Sequence, residues 1–339
     1  MRVVVNRRTF SGGAAALAAG CSTLGSSPSI LVNLADTPMP PVGGERPEAQ
    51  LGAGADLTGR MTAPVRVNGR GPFTFVVDTG ANRTVLSTEL AAELGLPSAG
   101  PANVHGIAGV EPADTVTVDL LEVDAVATRR MRAPTLSRAR LGTDGLLGVD
   151  VLRDRRVVMD FGRAQLRIWP SNAGGRTTFD MRADATGGPG RDLGTGIVVP
   201  ARYRFGQLII VGADVAGKKV TAFLDSGAQS TVGNMPLSRA VRGANPDPKL
   251  VRYLTPLLSA TGQTAQGEVA VLPLLRIGGL SITGLQALFT DLHVFDIWDL
   301  ADTPSLLLGI DVMSQFEAIQ LDFGRRQVTF YPKRPGRRG

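Results

Sequence analysis

Two short stretches of the sequence each place a single aspartate where rigid backbone would aim it. The apolar run 73–77 ends in Asp78, and the run 221–224 ends in Asp225. Both stretches follow the pattern D-[TS]-G-A-x-x-T-V, and the two aspartates are 147 positions apart. Apolar and β-branched runs predict strands, and the glycine after each aspartate permits a sharp turn. We therefore expect each carboxyl group at the end of a strand.

Two such carboxyl groups at hydrogen-bond distance would share one proton, because two like charges cannot both form that close together. The ionised group can activate a water, and the protonated one can donate to a carbonyl oxygen. This pair could add water to a peptide bond with neither a metal nor a covalent intermediate. Gly80 and Gly227 would let backbone approach the carboxylates, and the hydroxyls of Thr79 and Ser226 would cross-link the two loops.

Other catalytic chemistries find few residues in this chain. One cysteine and two histidines allow neither an intrachain disulfide nor a Cys/His zinc cluster, so we expect no metal and no other cofactor. Cys21 lies in the leader, which argues against Cys-His hydrolysis. A Ser-His-Asp triad would need His105 or His293, and neither comes with a G-x-S-x-G elbow. Carboxylate chemistry remains.

The net charge of +6 does not predict nucleic-acid binding. Three arginines lie in the first twenty residues and four basic residues in the last seven, and without them the body has a net charge of −1. No basic stripe with interleaved aromatic residues occurs in that body. We expect a peptide or protein partner and no nucleic acid.

The N-terminus reads as an export segment. Residues 6–10 resemble a twin-arginine signal, and residues 18–21 resemble a lipoprotein box that would acylate Cys21. We expect an exported protein, periplasmic or anchored to a membrane by this lipid; the alternative is an ordinary cleavable signal with an incidental cysteine. No other stretch is long and apolar enough to span a bilayer.

The body of the chain is an internal duplication. With 43% apolar residues, 42 Gly and 22 Pro, 339 residues suit two domains of many short strands. Three blocks recur in the same order, at 145–152, 157–162 and 166–170 in the first copy and at 306–313, 319–324 and 328–332 in the second. The first block of each copy contains Leu-Leu-Gly (the L-L-G block), whose glycine follows the aspartate by 70 positions in the first copy and by 84 in the second. The expected segments are a signal (1–21), a flexible tether (22–55) with an edge strand near 30–34, a first lobe (56–170), a linker (171–195), a second lobe (196–332) and a basic tail (333–339).

Local signals predict smaller features. A hairpin should join 65–69 to 73–77, and a helix over 88–94 should be capped by Ser87 or Thr88 and stopped by Gly95. Four further aspartates have structural explanations. Asp150 and Asp311 are expected to cap a short helix, and Asp160 and Asp322 to cap D-F-G turns.

The D-T-G-A and D-S-G-A segments, each followed by its hydrophobic-hydrophobic-Gly block, resemble the aspartic protease superfamily. The likeness is to the bacterial retropepsin-like type, duplicated within one chain as in pepsin-like enzymes, over residues 60–170 and 205–332. It implies an all-β fold of two homologous closed β-barrel lobes, related by a pseudo-two-fold axis, with few short helices. It also implies a monomer whose two lobes form a pseudo-dimer. The residues it assigns are a catalytic dyad (Asp78, Asp225), an interlobe grip (Thr79, Ser226) and glycines packed behind the loops (Gly148, Gly309).

The family also has flaps that close over the substrate. The first candidate is the Gly-rich tip formed by Gly106, Ile107, Ala108 and Gly109, beside which His105 could touch substrate. The second is the segment 259–264 around Gly262, where an ordinary hairpin turn is the competing interpretation. Neither tip has the tyrosine of pepsin-like flaps, so closure is expected to follow the retropepsin manner.

Ala81 and Ala228 stand where pepsin-like enzymes often carry a hydroxyl that favours the charged carboxylate. Without it the dyad should titrate higher as a pair, which predicts activity at mildly acidic to near-neutral pH. Three functions are compatible with the sequence. The first is an aspartic endopeptidase acting on extended peptides; the second is a catalytically idle envelope peptide-binding protein with the same two-lobed cleft. The third is a lobe arrangement in which each aspartate pairs with another chain.

Overall fold

A computed structural model describes residues 29–32, 47–171, 196–204, 206–242 and 253–333. The predicted signal, the lipidation site at Cys21, nearly all of the linker and the tail beyond Lys333 lie outside these ranges. None of the helices within the described ranges has the length and apolarity needed to cross a membrane.

The described chain is mostly strand, with six short helices, and it forms two lobes in sequence order. In the first lobe the elements are β2 (Ala49–Gly52), β3 (Gly54–Ala55), β4 (Met61–Val67), β5 (Arg70–Val77), β6 (Val85–Ser87), α1 (Thr88–Glu93), β7 (Ser98–Gly106), β8 (Gly109–Val123), β9 (Val126–Leu136), α2 (Arg138–Leu141), β10 (Gly145–Leu147), α3 (Val149–Leu152), β11 (Arg155–Asp160) and β12 (Gln165–Pro170).

The second lobe repeats the order of the helices, with five strands instead of three between its first two helices. Its elements are β13 (Ile197–Arg204), β14 (Gln207–Val215), β15 (Lys218–Leu224), β16 (Val232–Gly233), α4 (Met235–Val241), β17 (Tyr253–Leu258), β18 (Thr264–Val271), β19 (Leu275–Ile277), β20 (Leu280–Thr283), β21 (Gln286–Phe289), α5 (His293–Ile297), β22 (Ser305–Leu308), α6 (Ile310–Met313), β23 (Ala318–Asp322) and β24 (Gln327–Tyr331). Ahead of both lobes, β1 (Ser29–Val32) pairs with β20 at the edge of a sheet, close to where the sequence predicted an edge strand.

Both lobes build the same unit around the strand that leads to the aspartate. In the first lobe β10 lies between β5, to which it is parallel, and β6, to which it is antiparallel. In the second lobe β22 lies in the same way between β15 and β16. The two-lobed, mostly β fold predicted from the duplication is therefore confirmed.

Closure of the strand pairings differs between the lobes. In the first lobe the pairings run from β4 through β5, β10, β6, β9 and β8 and return to β4, which completes a ring. Among the described strands of the second lobe the path β17-β18-β21-β16-β22-β15-β14 continues through β19 to β20 and does not return to β17 or β18. The expected barrel closure is thus seen as a ring of pairings in one lobe only.

A central sheet joins the lobes. Its strand order is β2, β12, β11, β23, β24 and β13, and the antiparallel pairing of β11 with β23 crosses from the first lobe to the second. Strand β2 pairs with β12, and Ala49 and Leu51 of β2 are buried. Residues 49–52, which the sequence predicted as part of a tether, therefore belong to the central sheet, where these two apolar side chains are buried.

Several local predictions hold. The β4–β5 hairpin turns at Asn68 and Gly69, both with positive φ, and Ser87 caps α1 by accepting from the Leu90 N–H at 3.0 Å. The D-F-G turns are capped as expected, since the carboxylates of Asp160 and Asp322 each accept the backbone N–H three residues later, at 2.9 Å.

Candidate active site

The two aspartates lie at equivalent ends of the repeated unit. Asp78 directly follows β5, and its N–H donates to the Leu147 carbonyl of β10 at 3.0 Å. Asp225 directly follows β15, and its N–H donates to the Leu308 carbonyl of β22 at 2.9 Å. Each aspartate is therefore fixed by a strand on its own segment and by the strand inserted beside it.

The loops that carry the aspartates pack against each other across the lobe boundary. The Asp225 carboxyl lies directly against Gly80, and the Asp78 carboxyl lies directly against Gly227, so that a Cβ on either glycine would overlap the facing carboxyl group. The two carboxyl groups are also close enough to interact with each other. The structure thus brings together four of the residues singled out in the sequence, with each glycine making room for the other lobe's acid.

Backbone donors hold both carboxylates in place. One Asp78 oxygen accepts from the N–H groups of Gly80 and Ala81 at 2.9 and 3.0 Å. One Asp225 oxygen accepts from Gly227 and Ala228 at 2.9 and 3.1 Å. The two alanines therefore contribute backbone N–H groups, while their methyl side chains offer no hydroxyl to either acid.

Burial controls the protonation of the pair. Asp78 is 8% exposed and Asp225 is 6% exposed. Burial raises the pKa of Asp78 above its usual range, against the lowering effect of the Ala81 and Gly80 N–H groups. Burial, followed by the negative charge of Asp78, raises the pKa of Asp225 to about 8. The pair is thus suited to share one proton near neutral pH, with Asp225 as its preferred holder.

Thr79 and Ser226 form a reciprocal cross-link beneath the aspartates. The Thr79 N–H donates to the Ser226 hydroxyl and the Ser226 N–H to the Thr79 hydroxyl, both at 3.0 Å. The Thr79 hydroxyl also donates to the Leu224 carbonyl at 2.9 Å, and the Ser226 hydroxyl to the Val77 carbonyl at 2.6 Å. Both side chains are at most 2% exposed. This is the interlobe arrangement that the resemblance implied for these two residues.

Gly148 and Gly309 lie behind the active-site loops. A Cβ on Gly148 would meet backbone atoms of Arg83 and Thr84 at 2.5–2.7 Å, and a Cβ on Gly309 would meet backbone of Ser230 and Ala228 at 2.8–2.9 Å. Only a residue without a side chain allows this approach of the inserted strand to the loop.

The expectation that Asp150 and Asp311 cap a short helix is wrong. Gly148 and Gly309 occupy the cap positions of α3 and α6, and each aspartate reaches back to a threonine of the catalytic loop. Asp150 accepts from the N–H and hydroxyl of Thr84 at 2.9 and 2.7 Å. Asp311 accepts from the N–H and hydroxyl of Thr231 at 2.9 and 2.8 Å. Thr84 with Asp150, and Thr231 with Asp311, hold the two catalytic loops in place. The same threonine and aspartate recur in both copies of the sequence, and this repetition could have indicated their pairing.

Further support comes from residues that the sequence did not mark. Gln207, which is 2% exposed, extends from the second lobe and donates its Nε2 to the Gly80 carbonyl and the Asn82 side-chain oxygen, both at 3.1 Å. In the first lobe the Arg60 guanidinium lowers the pKa of Asp78, although burial outweighs it. Neither residue belongs to a repeated motif, so no sequence signal distinguished them.

The predicted flaps are the tips of two hairpins, one from each lobe. Gly106, Ile107, Ala108 and Gly109 form the tip between β7 and β8, and residues 259–263 join β17 to β18. The tips meet: Gly106 lies against the side chains of Ser259 and Thr261 of the second hairpin. Ile107 packs on a second-lobe apolar cluster that includes Phe223, Phe295 and Trp298. Ala260 packs on a first-lobe cluster that includes Val76, Leu136 and Leu146.

Polar side chains also join the two hairpins. The Gln263 side chain donates to the Val110 carbonyl at 2.9 Å. Arg140, whose guanidinium faces Gly262, donates to the Glu111 carboxylate at 2.8 Å and to the Thr261 carbonyl at 3.2 Å. Each hairpin therefore contacts the opposite lobe, and the two tips contact each other.

Comparison with known families agrees with this geometry. A family model described as aspartyl protease matches residues 63–151 and 211–312, so that one matched segment falls in each lobe. The first segment contains Asp78 and the second contains Asp225, each with the L-L-G block that follows it. No curated protein matches the chain at a significant level. The two matched segments together cover more than half of the sequence, and the chain belongs to the aspartyl protease family.

Proposed function

We propose that this protein is an aspartic endopeptidase that hydrolyses peptide bonds with a water held between Asp78 and Asp225. The observation that carries the proposal is the reciprocal packing of each carboxyl group on the glycine of the other lobe. This packing supports a shared dyad within one chain, with a peptide or protein as the substrate. It gives no support to pairing of each aspartate with a second chain.

The two carboxyl groups divide the chemistry between them. Asp78, ionised, takes a proton from the water while the water oxygen bonds to the peptide carbonyl carbon. The proton on Asp225 passes to the carbonyl oxygen, which yields a neutral tetrahedral diol. Asp78 then passes its proton to the peptide nitrogen as the carbon–nitrogen bond breaks, and one hydroxyl of the diol gives its proton to Asp225 as the carboxylic acid product forms. The dyad again holds a single proton, on Asp225. The raised pKa of Asp225, to about 8, keeps that proton available near neutral pH.

The hairpins provide a place for an extended substrate. Two tips that meet across the lobes would lie over a peptide in the cleft, where their backbone groups can bind its backbone. The tips would have to part for the peptide to enter, because their side chains contact each other. A cover of this kind excludes water that does not take part in the reaction.

The test compares wild type with Asp78→Asn and Asp225→Asn on a peptide library, with inhibition by a pepstatin-like transition-state analogue measured alongside. We expect each variant to lose activity by on the order of a thousandfold, because one carboxyl group can no longer serve as base or acid. Asp299→Asn is the control, because Asp299 is distant from both dyad residues in the sequence and 89% of its side chain is exposed. Full activity in either dyad variant would overturn the proposal.

A further inference from the structure

The only two histidines of the chain face each other across the lobes. His105 is the next-to-last residue of β7, beside the tip of the first hairpin, and His293 is the first residue of α5 in the second lobe. His105 Nδ1 and His293 Nε2 are 3.0 Å apart. This contact ties the first-lobe hairpin to a helix of the opposite lobe.

The geometry is that of an in-line hydrogen bond. The planes of the two rings are within 11° of parallel, and their centroids are 5.3 Å apart. This separation matches the nitrogen–nitrogen distance plus the distance from each nitrogen to its ring centre. The two nitrogens therefore lie close to the line between the rings, where one imidazole donates its N–H and the other accepts.

Such a bond tolerates one added proton and not two. When one ring is protonated, a single hydrogen still lies between the nitrogens and the bond becomes charge-assisted. When both rings are protonated, both nitrogens carry hydrogen, no acceptor remains, and two cations face each other. Imidazole is the side chain whose charge ordinarily changes between about pH 5 and pH 8. The bond can therefore form while at most one of the two rings is protonated, and it cannot form once both are.

The neighbouring elements add few competing charges. Strand β7 has no other ionisable residue, nor does the loop 259–263. Near the tip on β8, the carboxylate of Glu111 is paired with Arg140, and Asp114 lies farther along the strand. Ahead of α5, Asp291 accepts the Met235 N–H at 3.0 Å, and Asp296 is exposed on α5 itself. The charge that each imidazole meets at its bonded nitrogen is thus that of the other imidazole.

We propose that His105 and His293 form a clasp that holds the first-lobe hairpin against the second lobe, and that protonation of both rings releases it. The role of the clasp in substrate entry rests on the proposed function. The hydrogen bond from Gln263 to the Val110 carbonyl holds the same hairpin through a group that does not titrate. This bond supplies a matched comparison, because its loss would loosen the hairpin equally at every pH.

The experiment measures hydrogen–deuterium exchange of the segment 104–110 in the full chain at about pH 5 and about pH 8. Every variant carries Asp78→Asn, so that exchange is followed whether or not the protein is a protease. Rates are divided by those of the same sequence as an unstructured peptide at the same pH. An exchange result against the clasp would leave the proteolytic proposal standing, and a failed activity assay would leave the exchange result unchanged.

With both histidines present, we expect the corrected exchange to be roughly three- to tenfold faster at the lower pH, which is the scale of one lost hydrogen bond. In His105→Ala and in His293→Ala, exchange should be fast at both pH values. In Gln263→Ala it should rise at both while keeping the pH dependence of the histidine pair. Equal exchange at the two pH values with both histidines present, or an unchanged pH dependence in the alanine variants, would overturn the clasp.

Discussion

At the scale of single residues, the two aspartates have different electrostatic surroundings despite their equivalent positions. Both are buried, and burial raises the pKa of each. The Arg60 guanidinium, itself ion-paired to Asp56, favours the charged form of Asp78. The negative charge of Asp78 then disfavours the charged form of Asp225. A duplicated fold thus supplies two nearly symmetric acids, and one arginine outside the repeat makes them unequal.

This asymmetry predicts the high-pH limit of activity. Since the pKa of Asp225 is raised to about 8, Asp225 keeps its proton below that pH, and the active one-proton dyad persists through neutral pH. Above about pH 8 Asp225 loses this proton, both acids become charged, and kcat/KM should fall tenfold per pH unit. The dependence of kcat/KM on pH, measured on a peptide that the enzyme cleaves rapidly, tests this predicted fall.

The control for the pH profile is Asp299→Asn, which should leave the fall in kcat/KM above about pH 8 unchanged because it alters an exposed carboxylate. An optimum below about pH 3, as in strongly acidic members of this class of enzyme, would contradict the assignment of the proton to Asp225. The absence of a hydroxyl at Ala81 and Ala228 led to the same expectation from the sequence, by a separate argument.

At the scale of elements, the catalytic loops are held by the strand and helix that follow each L-L-G block. In each lobe a threonine hydroxyl of the loop donates to an aspartate of that helix and accepts from the N–H of the block's glycine, at 3.1 Å for Gly148 and 3.2 Å for Gly309. The loop carbonyl of Ala81 accepts from Val149, and that of Ala228 accepts from Ile310. Each catalytic loop therefore packs directly against the L-L-G block of its own lobe and the helix that follows it, with no room for a side chain between them.

Gly148→Ala tests this fit. The added methyl group would meet the Arg83 carbonyl and the Thr84 nitrogen, which are backbone atoms that cannot rotate away, so we expect the free energy of unfolding to fall by about 1–3 kcal/mol. Activity should fall as well, since the displaced loop carries Asp78. Denaturant unfolding and the peptide assay measure the two effects.

Gly52→Ala is the matched control. Gly52 lies in β2, and a Cβ there would meet nothing within 4 Å. This variant should change the free energy of unfolding by no more than about 0.5 kcal/mol. If the two alanine variants proved equally stable and equally active, close packing behind the loop would not be what positions the aspartate.

Features that recur in both copies could be predicted from the sequence, and features outside the repeat could not. Asp78 and Asp225, the Thr79–Ser226 cross-link and the two packing glycines all stand in duplicated motifs, which made them visible. Tertiary contacts between non-equivalent elements leave no such trace. They include the bonds from Gln207, the charge of Arg60 and the pairing of His105 with His293. Asp150 and Asp311 recur as well, but the hydrogen bonds that they accept span 66 and 80 residues. A local capping rule therefore assigned these two aspartates wrongly to helix caps.

At the scale of the whole molecule, hydrogen bonds join the lobes at the catalytic loops and in the central sheet, among other places. Beneath the dyad the loops are joined by the Thr79–Ser226 cross-link. In the central sheet five residues of β11 pair with five of β23, and Val157, Met159, Ile319 and Leu321 of these strands are at most 2% exposed. Separating the lobes would expose these side chains and leave two strand edges unpaired, so each lobe depends on the other for part of its core.

This dependence predicts that the lobes unfold together, although chains of this length often unfold one domain at a time. The two tryptophans provide separate probes, since Trp169 lies in β12 of the central sheet and Trp298 packs edge-on against Phe223 in the second lobe, with centroids 4.5 Å apart. In Trp169→Phe and in Trp298→Phe the fluorescence of the remaining tryptophan should change at the same denaturant concentration as the far-ultraviolet circular dichroism of that variant. A Trp298 transition completed while half of the circular dichroism remained would show that the second lobe unfolds alone, and the central sheet would then not couple the two halves of the active site.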